Sequence, residues 1–395
     1  MKKLILNLAC LIFVIAFTFS CKKEDAIPVS GLTSSQNISV NVGSVDTIKV
    51  IVKPWIATNI VEWKSSNTAI ATIKPIGVTT NRIDGVSTAY AIVTGISHGK
   101  DTIIATSANG DKAMFNLTVN KLTIYRRDTV LFNAIAIDAQ GNKWCAYSSP
   151  DYHSNYGVLK FDGTNWTSYS TSNSGLVNNQ VSCITIDTQK NIWFGTRGGV
   201  SKFDGTSWTT YNSNNSGLAY NHVYAIASDT KGNIWFGTSF GVSKFDGSIW
   251  TTYNSFDNTV PNCIAVDPLN ENIWVGTSGG GVYKFDGSNW TNVANFHDNT
   301  VYAIGIDEQD NKWYGTGLGL YKYYPFTEYL DYTTISAIAV DVQKNIWVCR
   351  LFLQTAMFDG TNWNYYKSIE GVNSMAIDLQ GNKWFAGYGL TELQD

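Results

Sequence analysis

Charge is sparse in this chain of 395 residues: Asp, Glu, Lys and Arg make up 15% of it against 44% hydrophobic residues, with a formal net charge of −3. No basic stripe with interleaved aromatics is present, which argues against contact with a phosphate backbone and so against a nucleic-acid partner. Histidine is rarer still. The four histidines, His98, His153, His222 and His297, are too scattered for a zinc site of the usual ligand spacing. No stretch has the clustered aspartates of a local calcium loop. No metal or other cofactor is expected. Cysteine is limited to Cys10, Cys21, Cys145, Cys183, Cys263 and Cys349, a set that an exported chain could oxidise.

What the chain does have begins at its N-terminus. Met1-Lys2-Lys3 is followed by an apolar run from Leu4 to Phe19, the basic and hydrophobic regions of a secretory signal. The run is shorter than the roughly 18–20 residues of a spanning helix, and Cys21 closes it. Thr18-Phe19-Ser20-Cys21 resembles a bacterial lipobox, whose cysteine thiol takes a diacylglycerol and becomes the new N-terminus. Thr18 and Phe19 depart from the usual aliphatic-then-small pattern, and simple cleavage nearby is the alternative. Lys22-Lys23-Glu24-Asp25 resembles the tag that sends Bacteroidetes lipoproteins to the outer cell surface; a solvated tether is the plainer reading. These resemblances imply a signal peptide over 1–21, a tether over 22–30, lipidation at Cys21 and a membrane partner through the lipid. The implied location is the outer membrane, facing the cell surface or the periplasm.

Residues 31–120 alternate with period two, as in Ile38, Val40, Val42 and Phe115, Leu117, Val119, which predicts a small all-β domain. Val61-Glu62-Trp63-Lys64-Ser65-Ser66-Asn67, Ala69-Ile70-Ala71-Thr72-Ile73 and the later Val93-Thr94-Gly95-Ile96 and Gly99 to Ala105 resemble bacterial Ig-like domains of surface proteins. The resemblance implies a β-sandwich held by burial between two sheets, acting as a spacer.

From Lys121 to Asp395 the chain repeats itself. Seven aspartates (Asp138, Asp187, Asp229, Asp267, Asp307, Asp341, Asp378) each precede a tryptophan by six or seven residues (Trp144, Trp193, Trp235, Trp274, Trp313, Trp347, Trp384), and successive tryptophans lie 49, 42, 39, 39, 34 and 37 apart. Units of this length predict four-stranded blades of a seven-bladed β-propeller. In one unit Val223–Ala227 is the inner strand A, Ile234–Thr238 strand B, Gly241–Phe245 strand C and Trp250–Tyr253 the outer strand D. The last unit has no strand D, and Leu122 to Arg126 is expected to supply it and close the ring. The fold class is thus all-β, an Ig-like sandwich followed by a propeller closed by an N-terminal strand.

The repeated pattern, seen in Asp229 to Gly247, resembles the propeller repeats of two-component regulators, the extracellular sensing part of certain Bacteroidetes hybrid histidine kinases. It also looks like the repeats of streptogramin lyases, whose chemistry uses histidines, a glutamate and magnesium. No His-x-Glu or Glu-x-His pair exists here, and Glu271, Glu308, Glu328, Glu370 and Glu392 lie on different units from a histidine partner, or at turns. No catalytic residue is carried over.

Residues that recur once per unit are read as frame. The strand B tryptophans are expected to pack between blades, each burying an indole worth about 4–6 kcal/mol gross as an upper bound. The aspartates are expected to form the A–B turns. Cys183 and Cys263 stand where other units have Ala134, Ala225, Ala303, Ala337 and Ser374, Cys349 where most have glycine, and Cys145 at an apolar strand site. Disulfides are not expected. The B–C loops and D–A connections share one end of the strands, and there the units differ. Tyr147, Tyr152, His153, Tyr156, Arg197, Phe240, Arg350, Phe352 and Tyr388 fall on those B–C loops. Aromatic faces with a few donors suit a glycan or a peptide or protein ligand. The sequence therefore points to a non-enzymatic binding protein with a spacer; a propeller enzyme resembling streptogramin lyase and a detached sensory propeller with a separate signalling partner are the alternatives.

Overall fold

A computed structural model describes residues 27–28, 35–52, 61–81, 86–107, 110–127, 130–149, 155–254, 256, 259–294, 296, 299–323, 327–331 and 333–394. The signal, Cys21 and the charged tether lie outside them, as do Tyr152 and His153. The described residues are all-β, with no helix among them, and form two compact units divided between Lys121 and Leu122.

The first unit has two sheets. One orders Ile27–Pro28, Val45–Val52, Val86–Gly95 and Ala71–Asn81; the other joins Glu62–Ser65, Gly99–Thr106 and the N-terminal part of Lys112–Arg127, to which Ser35–Asn41 adds in parallel. Alternate residues from both sheets, among them Val50, Ala91, Ile103, Phe115 and Val119, meet in one core. Trp63 lies against Phe115 with ring centroids 6.0 Å apart. The Ser65-Ser66-Asn67 corner is fixed by the buried Asp101 carboxylate, which accepts Ser65 Oγ and Ser66 Oγ at 2.6 Å each and Asn67 N at 2.9 Å.

The second unit is a propeller. Among the described residues it contains six four-stranded sheets and a seventh set of three consecutive strands, numbered 1 to 7 by their inner strands: Leu131–Ile137, Val181–Ile186, Val223–Ser228, Pro261–Val266, Val301–Ile306, Ile335–Val340 and Val372–Ile377. Each inner strand touches the next, and the seventh touches the first. Sheets 1 to 6 are built from consecutive strands, whereas sheet 7 takes its outer strand from the end of Lys112–Arg127, paired with Gly389–Gln394. Tyr125 on that strand stacks on Trp384 at 5.2 Å and donates its hydroxyl to Glu392 Oε2 at 2.6 Å.

The spacing of Asp and Trp has a direct cause. Asp229 Oδ1 accepts the N–H groups of Lys231 and Asn233, while Oδ2 accepts Asn233 Nδ2 at 2.7 Å and the Trp235 indole at 3.0 Å. A six-residue spacing lets one carboxylate close the turn and satisfy the buried indole, and six of the seven units do this. In sheet 4 the spacing is seven. There Asp267 meets the Lys312 ammonium of sheet 5 at 3.1 Å, and the Trp274 indole N–H has no partner. The tryptophans reach into the next sheet's cluster, Trp193 packing with Ile234 and Phe236, so repetition reflects packing between sheets. Cys145, Cys183, Cys263 and Cys349 are free thiols; burial pushes Cys183, Cys263 and Cys349 up to about 12, which suppresses the reactive thiolate.

Candidate functional site

The antiparallel order of each sheet puts the A–B and C–D turns at one end and the B–C turns and D–A connections at the other. Exposed large aliphatic residues occur at both ends, Leu318 and Leu353 being on B–C turns, whereas the exposed aromatics gather at one. Ile249, Leu269, Val342 and Leu379 are at the A–B/C–D end, while Tyr156, Tyr220, Phe240, Tyr302, Phe352 and Tyr388 are at the B–C/D–A end. All the exposed aromatics of the described propeller residues therefore share one face.

Two D–A connections, 170–180 and 212–222, are built alike. Ser170 N and Asn212 N donate to Asn173 Oδ1 and Asn215 Oδ1, each at 2.7 Å, and Asn179 and Asn221 accept from Thr171 N and Ser213 N at 2.8 Å. Leu176 and Leu218 plug into the core below them. The connection backbone is pinned further, Val177 N to Ser201 Oγ and Ala219 N to Ser243 Oγ, both at 2.9 Å. Gly175 and Gly217 are required here, because a Cβ would come within 2.2 and 2.4 Å of the Trp208 and Trp250 Cβ atoms.

On this shared frame the side chains diverge. Sheet 2 presents Asn178, Gln180, Arg197 and Gly198 where sheet 3 presents Tyr220, His222, Ser239 and Phe240. Tyr220 and Phe240 are in ring contact at 5.0 Å, and His222 stacks on Tyr224 at 3.9 Å. Ser239 Oγ lies 3.4 Å from Tyr224 Oη. Arg197 donates to Gln180 Oε1 at 3.4 Å. Burial, with the Arg197 charge, holds the His222 imidazole below its ordinary value, so it is neutral at pH 7 and both donates and accepts. Tyr224 occupies a bulge that recurs in every inner strand, where it stands in register with Asn133, Ser182, Asn262, Tyr302, Ser336 and Asn373. Several short polar side chains there tie neighbouring sheets: Asn373 Nδ2 reaches Phe132 O at 3.0 Å and Ser336 Oγ donates to Val372 O.

The residues singled out in the sequence scatter over this face. Arg197 and Phe240 stand at adjacent B–C turns of sheets 2 and 3, Phe240 being 63% exposed. Tyr156 lies on sheet 1 against Tyr147 at 5.3 Å. Phe352, 82% exposed, and Tyr388 belong to sheets 6 and 7. Arg350 does not present itself to a ligand: it is 8% exposed, donates Nε to Gln354 O at 2.8 Å and lies over the Tyr365 ring. It takes the place of Thr196, Thr238, Thr277 and Thr316, whose hydroxyls close their own B–C turns on a glycine carbonyl. The sequence reading passed over Tyr220, His222, Tyr224 and Tyr302. Aligning Asn173 to Val181 with Asn215 to Val223 exposes the first two as substitutions on an unchanged loop.

Among the described residues no three His, Cys, Asp or Glu side chains converge as metal ligands, and His222 faces Arg197.

Residues 175–198 and 217–240, the two stretches from D–A connection to B–C turn just described, match the two-component regulator propeller family. No curated protein matches the chain. Among solved structures it is similar to the extracellular domain of a hybrid two-component system from B. thetaiotaomicron, at 20% identity and a TM-score of 0.58, covering 69% of this chain and 41% of that one. It thus spans less than half of that protein. It is also similar to virginiamycin B lyase from Staphylococcus aureus (16% identity, TM-score 0.59, covering 70% and 99%) and to PorZ, a surface component of the type-IX secretion system of Porphyromonas gingivalis (16%, 0.54, 77% and 56%). The chain is a propeller protein that carries two-component regulator propeller repeats; at these identities the likeness extends to the fold.

Proposed function

We propose that the protein is an exported, lipid-anchored binding protein in which a seven-bladed propeller, closed by Leu122–Arg127, is the receptor, an Ig-like domain is the spacer and Cys21 carries the anchor at the outer membrane. The ligand is an uncharged glycan. One observation carries this choice: the exposed aromatics share a face on which the two asparagine-pinned connections, 170–180 and 212–222, bear no carboxylate, lysine or arginine. Rings give apolar area for the C–H faces of a sugar, and the pinned amides and hydroxyls orient its hydroxyl groups at little ordering cost. Among the described residues of sheets 2 and 3 on this face, anionic glycans and acidic peptides would find one guanidinium, Arg197.

A glycan array on the purified protein, followed by calorimetry with the best neutral oligosaccharide, tests this. Tyr220→Ala and Phe240→Ala are each expected to weaken binding about tenfold, or 1.4 kcal/mol. Unchanged affinity in both, or a preference for acidic glycans, overturns the assignment. The anchor is tested apart from it: wild type should partition into detergent with membranes and Cys21→Ser should not.

A further inference from the structure

The D–A connections shorten around the ring. Eleven residues separate outer and inner strands after sheets 1 and 2, seven after sheet 3, six after sheet 4, three after sheet 5, and after sheet 6 only Gly371 remains. Gly371 has φ +63°, and Gly387 beside it has room for no side chain, since a Cβ would lie 2.1 Å from the Gly371 carbonyl oxygen. The crossing is pinched to bare backbone, and no connection roofs the seam of sheets 6 and 7.

A cavity of about 330 Å3 opens at this seam. Ile369 and Phe385 line it but are almost wholly buried, and the exposed Ile124 and Tyr388, with Thr391, offer the surface that a ligand could touch. Lys367 and Glu370 stand on its rim three residues apart, both exposed, and neither has an ion-pair partner among the described residues. A mostly polar lining with one cation, one anion and the exposed apolar side chain of Ile124 complements a small molecule that carries both charges beside a short apolar part.

We propose that this cavity binds a small zwitterion with an apolar side chain, of the α-amino acid class: Lys367 receives the carboxylate, Glu370 the ammonium group, and the side chain lies against Ile124 and Tyr388. The volume fits one such molecule, and the site is separate from the glycan face of sheets 2 and 3.

Calorimetry on the full chain with L-phenylalanine, phenylacetate and phenethylamine tests it. L-Phenylalanine should bind, and each singly charged analogue should bind about tenfold more weakly, because each leaves one rim charge unmatched. Lys367→Met and Glu370→Gln, both exposed and outside the core, should each cost a similar factor, whereas Phe240→Ala should leave binding unchanged. No binding by L-phenylalanine or L-leucine up to about 10 mM, equal binding of a singly charged analogue, or unchanged affinity in both rim variants overturns the proposal.

Discussion

Sheets 2 and 3 share their strand frame with sheets 6 and 7, down to the Asp–Trp bond in each turn, yet the two pairs finish their common face in opposite ways. Above sheets 2 and 3 the chain spends eleven residues on each approach and pins them with asparagine side chains, giving a raised, neutral, aromatic surface. Above sheets 6 and 7 the chain crosses almost directly, leaving a cavity and the loop tip of Phe352 and Leu353. Because the Asp–Trp bond that fixes each of these sheets lies at the opposite end of the strands, the connections are free to vary without disturbing it. That separation is what lets one repeat carry two unlike surfaces.

The largest test removes the strand that distinguishes sheet 7. A chain starting at Asp128 lacks Leu122–Arg127, uncovers Trp384 and Phe161, and leaves Gly389–Gln394 as an unpaired edge. It should lose more than about 4 kcal/mol, the scale of a deleted core aromatic, relative to a chain starting at Asn120, as measured by urea unfolding. Equal midpoints would show that ring closure does not depend on that strand.

Next comes the seam where the Asp–Trp bond fails. Lys312 stands where sheets 2, 3, 4 and 6 have Ile192, Ile234, Ile273 and Ile346, and it is buried with Asp267 at 3.1 Å and bonded also to Asp310. Asp267→Asn should cost about 1–3 kcal/mol, because the buried ammonium loses one of its two carboxylates and keeps Asp310. Adding Lys312→Ile should recover most of it; a double variant no better than the single one refutes the pairing. Burial pushes the Asp267 carboxyl up, but the Leu269 N–H and the Lys312 ammonium outweigh it and hold the group below the usual range. A depressed folded pKa makes this contribution present above about pH 4 and lost as pH falls through the folded value. Wild type should therefore lose stability on acidification more steeply than the double variant. A smaller contrast compares the two kinds of crossing: Gly387→Ala must displace the Gly371 carbonyl and should cost about 1–3 kcal/mol, whereas Gly198→Ala meets only the Asn178 Cβ at 3.0 Å and should cost less. Equal costs would mean that the pinch at Gly371 is not rigid.

Much of the frame was legible because it repeats. Seven Asp and Trp pairs mark the strands, and the alternation before Lys121 marks the all-β unit. The indole bond that sets the six-residue spacing was not legible, since a spacing does not name its donor. Arg350 shows a different limit: its type suggests a ligand contact, but its position is that of a turn-closing threonine, and position decides. Tyr220 and His222 were within reach, because they replace Asn178 and Gln180 in a loop otherwise repeated almost residue for residue. The cavity was not, because it arises from a connection being short, and a missing roof leaves no motif.

The smallest expected change in stability tests the comparison of surfaces most directly. Phe240 and Phe352 are both exposed at B–C turns of the same face, so truncating either should alter unfolding free energy by less than about 0.5 kcal/mol. Their consequences for binding should separate. Phe240 is in ring contact with Tyr220 at 5.0 Å, one sheet from Arg197, so Phe240→Ala removes half of a rigid platform and should weaken a neutral oligosaccharide about tenfold. Among the described residues Phe352 has neither an asparagine-pinned connection nor an aromatic partner of that kind beside it, so Phe352→Ala should leave the same titration unchanged. Calorimetry of both variants against one oligosaccharide reads the difference. Equal losses would mean that the ligand spans the face and that its two halves act as one site.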